Sequence, residues 1–216
     1  MSRMFKSITR TWNPFTGCRF NCTYCWARKL IEGRLHHLDR YKAGFIPTTH
    51  PDRFNPRFKS GDFVFVCDMG DIAFAPLVVW SAILDVVGRY PDTKFLLQSK
   101  DPRMFPQVVP ANVYLGITLE SNRTYVGPTP FERYVALLGR DHQHKFVSIE
   151  PVMDFDLSTL VRWVGDISPE IVEVGADNYH NDLPEPSWGK VEALLEALRR
   201  FVPTVVEKDG LERLRK

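Results

Sequence analysis

Residues 18–25 read CRFNCTYC and hold three of the chain's four cysteines, spaced C-x3-C-x2-C. Three thiolates on one short loop can converge on a single inorganic centre, and thiolate-rich sites select zinc, copper(I) or iron–sulfur clusters. A closed structural zinc site wants four ligands, usually as two short pairs. This chain offers three in one loop and no second pair, a set that suits a four-iron cluster with one iron left open. Two other readings stay open on the residues alone. The three cysteines can bind zinc together with a histidine or Cys67, or they can be buried thiols packed as small hydrophobes.

Upstream of the cysteines, Ser7–Trp12 has strand character, and Asn13, Pro14 and Gly17 are turn residues. The cysteine loop, residues 13–27, therefore leaves the end of a strand. Leu30, Ile31, Leu35 and Leu38 predict a helix over Trp26–Tyr41 with a weak point at Gly33. Residues 42–60, rich in Pro, His, Asp, Arg and Asn, read as an irregular excursion. Beyond them, short apolar runs alternate with amphipathic stretches. Strands are predicted at Phe63–Cys67, Lys94–Leu97, Val113–Thr118, Phe146–Ile149, Ile171–Val174 and Thr204–Val206. Helices are predicted at Pro76–Tyr90, Phe131–Gly139, Leu157–Val164 and Trp188–Phe201. This alternation means repeated βαβ units, an α/β fold with a parallel sheet. At 216 residues the chain is short for a closed eight-fold barrel of about 250 residues. The expectation is an open, partial parallel β/α barrel of six to seven strands in one domain, residues 1–216, with a doubly wound sheet as the alternative.

In α/β barrels the chemistry gathers at the C-terminal strand ends. Here those ends carry Asp68 and Asp71, Gln98 and Lys100, Thr118 and Glu120, Ser148 and Glu150, and Asp177 and Asn178. Each can equally be a solvated residue or the cap of the next helix.

The loop resembles the signature of radical S-adenosylmethionine (radical SAM) enzymes. Its context, TWNPFTGCRFNCTYCWA, is similar to a narrower group of phage-associated and prokaryotic radical-SAM-like proteins of largely unassigned function. Later segments fit the same group: FVFVCDMGDIAF, KFLLQSKDPRMF, NVYLGITLESN, KFVSIEPVMDFDL and IVEVGADN. The resemblance implies a radical SAM-type partial barrel, a 4Fe-4S cluster on Cys18, Cys22 and Cys25, and S-adenosylmethionine on the open iron. It implies reductive cleavage to a 5′-deoxyadenosyl radical that abstracts hydrogen from a substrate. It sets Tyr24 against the adenine, and backbone around Asp68, Met69 and Gly70 with the Asp71 carboxylate near the methionine amino group. The Gly-Gly-Glu turn common in that place is Cys-Asp-Met-Gly-Asp in this chain. Glu120 resembles a ribose-binding position, and Gly175 lies where close approach to adenine favours glycine. Gln98, Thr118, Ser148 and Glu150 complete the expected cofactor-binding set. An electron donor such as ferredoxin or flavodoxin is implied as a partner.

Net charge is +2, which neither demands nor excludes a polyanion. Arg19, Phe20, Trp26, Arg28, Lys29, Arg34, Lys100 and Arg103 nevertheless make nucleic acid a candidate substrate. No apolar run reaches membrane-spanning length. Clustered cysteines without a secretory leader point to the reducing cytoplasm. The competing function is a non-catalytic zinc or iron–sulfur module for structure, electron transfer or nucleic-acid attachment.

Overall fold

A computed structural model of the chain describes residues 5–123 and 127–215. In chain order it has β1 (Arg10–Trp12), β2 (Phe15–Thr16), α1 (Trp26–Glu32), β3 (Thr48–Thr49), β4 (Phe63–Val66), α2 (Leu77–Gly88) and β5 (Lys94–Ser99). There follow β6 (Val113–Thr118), α3 (Pro130–Leu138), β7 (Lys145–Ile149), α4 (Leu157–Ile167), β8 (Ile171–Val174), α5 (Trp188–Leu198) and β9 (Thr204–Glu207). The main sheet has seven strands in the order β1-β4-β5-β6-β7-β8-β9. That order rises without reversal. A doubly wound sheet reverses at a switch point, so the topology is that of an open parallel β/α barrel.

Two predicted elements differ. The helix expected to run to Tyr41 stops at Glu32, where Gly33 caps it and its N–H bonds back to the Lys29 carbonyl. The excursion at 42–60 is not wholly irregular, because β3 pairs antiparallel with β2. That small sheet has no alternating apolar signal, since Phe15, Thr16, Thr48 and Thr49 are too few to show a period.

The chain forms two compact units, Met1–Ser99 with Met104–Tyr114, and Lys100–Arg103 with Leu115–Lys216. In the first, all four residues of β4 are buried, as a strand covered on both faces requires. Helix α2 buries Val79, Trp80, Ile83, Val86 and Val87. In the second, α3 starts with a capping box between Thr129 and Glu132 and a proline at its first turn. Asp156 caps α4 by accepting from Thr159 N at 2.8 Å. Tyr134 and Trp163 stack at 5.1 Å across α3 and α4. Leu194, Leu195 and Leu198 of α5 are buried, each contributing about 2 kcal/mol of apolar transfer.

Candidate functional site

In the first unit the cysteine loop is tied down at both ends. Thr16 and Phe15 pair with Thr48 and Thr49, and Thr16 Oγ1 meets His50 Nε2 at 2.8 Å. Gly17 N donates to Met69 O at 3.0 Å and Asp71 N donates to Gly17 O at 3.1 Å. This fastens the loop to the turn after β4. Gly17 has φ +87°, which a side chain would resist.

Within the loop, Phe20 N donates to Cys18 Sγ and Arg28 N to Cys25 Sγ, each at 3.4 Å. Cys25 is also the N-cap of α1. Cys22 is buried, and Cys18, Cys25 and Tyr24 are half-buried. Burial first, then the charges of Asp71, Cys22 and Cys25, pushes the Cys18 thiol up. Three thiolates packed here therefore need a cation, and a bound metal centre is what deprotonates such thiols outright. Among the described residues no three His, Cys, Asp or Glu side chains stand close enough to share one metal ion. In donor type, burial and N–H···S support the loop fits a four-iron cluster.

Around the thiols, the turn after β4 is held by side chains. Asn13 Nδ2 donates to Asp68 Oδ1 at 2.6 Å, and Met69 N donates to Asn13 Oδ1 at 3.1 Å. Burial pushes the Asp68 carboxyl up to about 6. Asp71 is buried and caps a short 3-10 turn, accepting from Ala73 N at 3.0 Å and Ser99 Oγ at 2.6 Å. The N–H groups of Met69, Gly70 and Asp71 go to Asn13, Cys67 and Gly17. Gln98 is buried on β5. Cys67 is buried too, and holds a left-handed backbone at φ 63°.

In the second unit, register places Thr118, Ser148 and Glu173 side by side across β6, β7 and β8. All three are buried. Two residues further along, on the same faces, come Glu120, Glu150 and Gly175. Ser148 Oγ is buried without a hydrogen-bond partner, a vacancy for a ligand's polar group. Glu120 is engaged on both oxygens: Oε1 pairs with Lys100, and Oε2 takes Arg133 Nη1 at 2.6 Å. Arg133 also reaches the Thr118 and Pro128 carbonyls. Glu150 pairs with Lys208, while burial pushes its carboxyl up. A Cβ at Gly175 would stand 2.7 Å from Glu150 Oε1, so a side chain there would have to displace the Glu150 carboxylate.

Asn13, Ser99, Arg133, Glu173 and Lys208 are polar residues of these sets that sequence reasoning did not select. Asn13 read as a turn former, and Arg133 lies on a helix where exposure is the ordinary expectation. Only Glu173, an acid alternating with Val172 and Val174, carried a visible signal.

The fold defines the class: this is an open, partial parallel β/α barrel of seven strands. Among solved structures the chain is similar to Streptococcus suis SuiB bound to precursor peptide SuiA, with TM-score 0.57 and 10% identity. The match covers 96% of this chain and 51% of that one, so the chain spans about half the length of SuiB. At that identity the likeness shows the fold alone. Residues 5–191 match the family described as Protein of unknown function (DUF5131), and the chain belongs to that family. No curated protein matches it.

Proposed function

We propose that this chain is a radical SAM enzyme, a single catalytic domain over residues 1–216 working in the cytoplasm with a ferredoxin- or flavodoxin-type electron donor. One observation carries the reading. The C-x3-C-x2-C loop leaves the first strand of a parallel open barrel and is fastened by Gly17 to the next strand's end. Cys18, Cys22 and Cys25 would hold a 4Fe-4S cluster. When bound, the cluster and S-adenosylmethionine supply a one-electron cleavage of the sulfonium that yields methionine and a 5′-deoxyadenosyl radical, the species that takes hydrogen from the substrate.

The chain's own residues bind and orient. An ammonium group needs acceptors. The N–H groups of the turn after β4 are spent on Asn13, on Gly17 and within the turn itself, so the Asp68 and Gly70 carbonyls are the acceptors we assign, with Asp71 nearby. Tyr24 would lie against adenine. Gln98, Thr118 and Ser148 would take hydroxyl or carboxylate oxygens, Ser148 through its unpartnered Oγ. Glu120 and Glu150 enter already paired with cations, so they would present a neutralised wall to the ligand.

The test is anaerobic reconstitution with iron and sulfide, then reduction in the presence of S-adenosylmethionine. A brown protein that forms 5′-deoxyadenosine is expected. A colourless zinc protein, or a brown one that forms none, overturns the proposal.

A further inference from the structure

Residues 19–59 hold nine Arg and Lys against three acidic residues, a net +6 in a chain whose total is +2. The remaining residues therefore carry a net −4, and the basic charge is concentrated in one segment of the first unit. That segment has a small core of its own. Ala27 and Ile31 of α1 pack with Tyr41, Phe45 and Met69, leaving Arg19, Lys29, Arg34, Arg40, Arg57 and Lys59 exposed.

Beside Cys18 the segment opens a cleft of about 410 Å³ walled by Arg19, Arg28, Glu32 and residues 43–47. The Arg28 guanidinium lies 5.0 Å from the Phe45 ring. One of its nitrogens meets Glu32 at 3.4 Å, while its Nε is buried with no hydrogen-bond partner. A guanidinium held against a ring keeps its N–H edge in a fixed plane, the arrangement that pairs with phosphate oxygens bidentately. Arg40 repeats the motif on Tyr41 at 5.5 Å. Half-buried Phe20 and Trp26 supply apolar surface on the same loop and helix.

From these features we infer that residues 19–59 form a docking face for a single nucleic-acid strand, with a phosphate entering the cleft at Arg19 and Arg28. Taken as substrate docking this rests on the radical reading above, whereas taken as binding it does not. An acidic protein would also be drawn to the charge. The recessed, ring-backed guanidinium favours the strand, whose phosphates project singly from a thin chain, over carboxylates on a broad protein surface. An enzyme acting on a base must also take it out of the stack, which a single strand has already done.

The experiment measures anisotropy of short fluorescent DNA and RNA single strands with the reconstituted protein across a salt series. Affinity is expected to fall steeply as salt rises. The Arg19→Ala/Arg28→Ala pair should lower the log–log slope by about 0.7, the value for the one phosphate that the two arginines share. Arg34→Glu, fully on the surface, should weaken binding with iron content unchanged. Three results overturn the inference: no binding at low salt, a slope unmoved by the variants, or a flavodoxin that binds this face while oligonucleotides fail to compete. Assaying 5′-deoxyadenosine in parallel separates the two readings, because strand binding without it keeps the docking face and removes the radical chemistry.

Discussion

Gly17 and Gly70 cross backbone on backbone. A Cβ on Gly70 would stand 2.5 Å from the Gly17 oxygen and 2.6 Å from its nitrogen. Neither position has room for a methyl group, and the atoms in the way are main chain, which cannot swing aside. Gly70→Ala should therefore cost about 2 kcal/mol or more in denaturant unfolding. Gly88→Ala, at the end of α2 with no atom within 4 Å of the new Cβ, should be neutral or stabilising by about 0.5 kcal/mol. Equal effects would mean that the crossing does not constrain the loop.

The thiol assignment predicts a sharp contrast. Cys18→Ala, Cys22→Ala and Cys25→Ala should each lose the iron–sulfur absorbance after reconstitution. Cys67→Ala should retain it, with a modest loss of stability from a buried site. Iron analysis decides, and loss of all iron in Cys67→Ala would mark it as a fourth ligand.

Glu120 anchors two buried cations. Removing one partner of a buried network strands the others, so Glu120→Ala should destabilise by about 3–5 kcal/mol, measured by urea unfolding. Arg133→Ala should fall in the same range. A surface-like effect under 1 kcal/mol would show that the network is hydrated in solution.

Asp68 gives a pH dependence whose sign runs opposite to that of most paired carboxylates. Its folded pKa is raised to about 6, against about 3.9 for an unfolded aspartate. The folded state then holds the proton more tightly, so stability declines as pH rises from about 4 to 6 and stays lower above. Asp68→Asn should stabilise the protein by about 1–2 kcal/mol at pH 7.5 and leave it nearly unchanged at pH 4. Equal effects at the two pH values would rule out the buried carboxylate as the cause.

The repeating frame was legible because each strand and helix carries its own period. Trp188–Leu198 shows its stripe of Val191, Leu194, Leu195 and Leu198, and all four are buried. The strand order was not legible, because periodicity says nothing about which neighbour a strand takes, and the choice between barrel and doubly wound sheet came from pairing. The candidate site was legible as a set of strand-end positions. Individual roles depend on partners distant in sequence. Glu120 needed Arg133, thirteen residues on, and Gly175 needed the rotamer of Glu150. Asp71, read as a ligand for an amino group, is also the cap that the next turn requires.

The pairing of Thr16 with Thr48 brings together two points of the chain some thirty residues apart, like the neck of a drawstring. Cys18, Cys22 and Cys25 hang below that neck, together with the small core of Ala27, Ile31, Tyr41 and Phe45. A laboratory graft between family members, cut at the neck, would therefore carry thiols, core and charge across as one unit and leave the strands of the barrel unchanged.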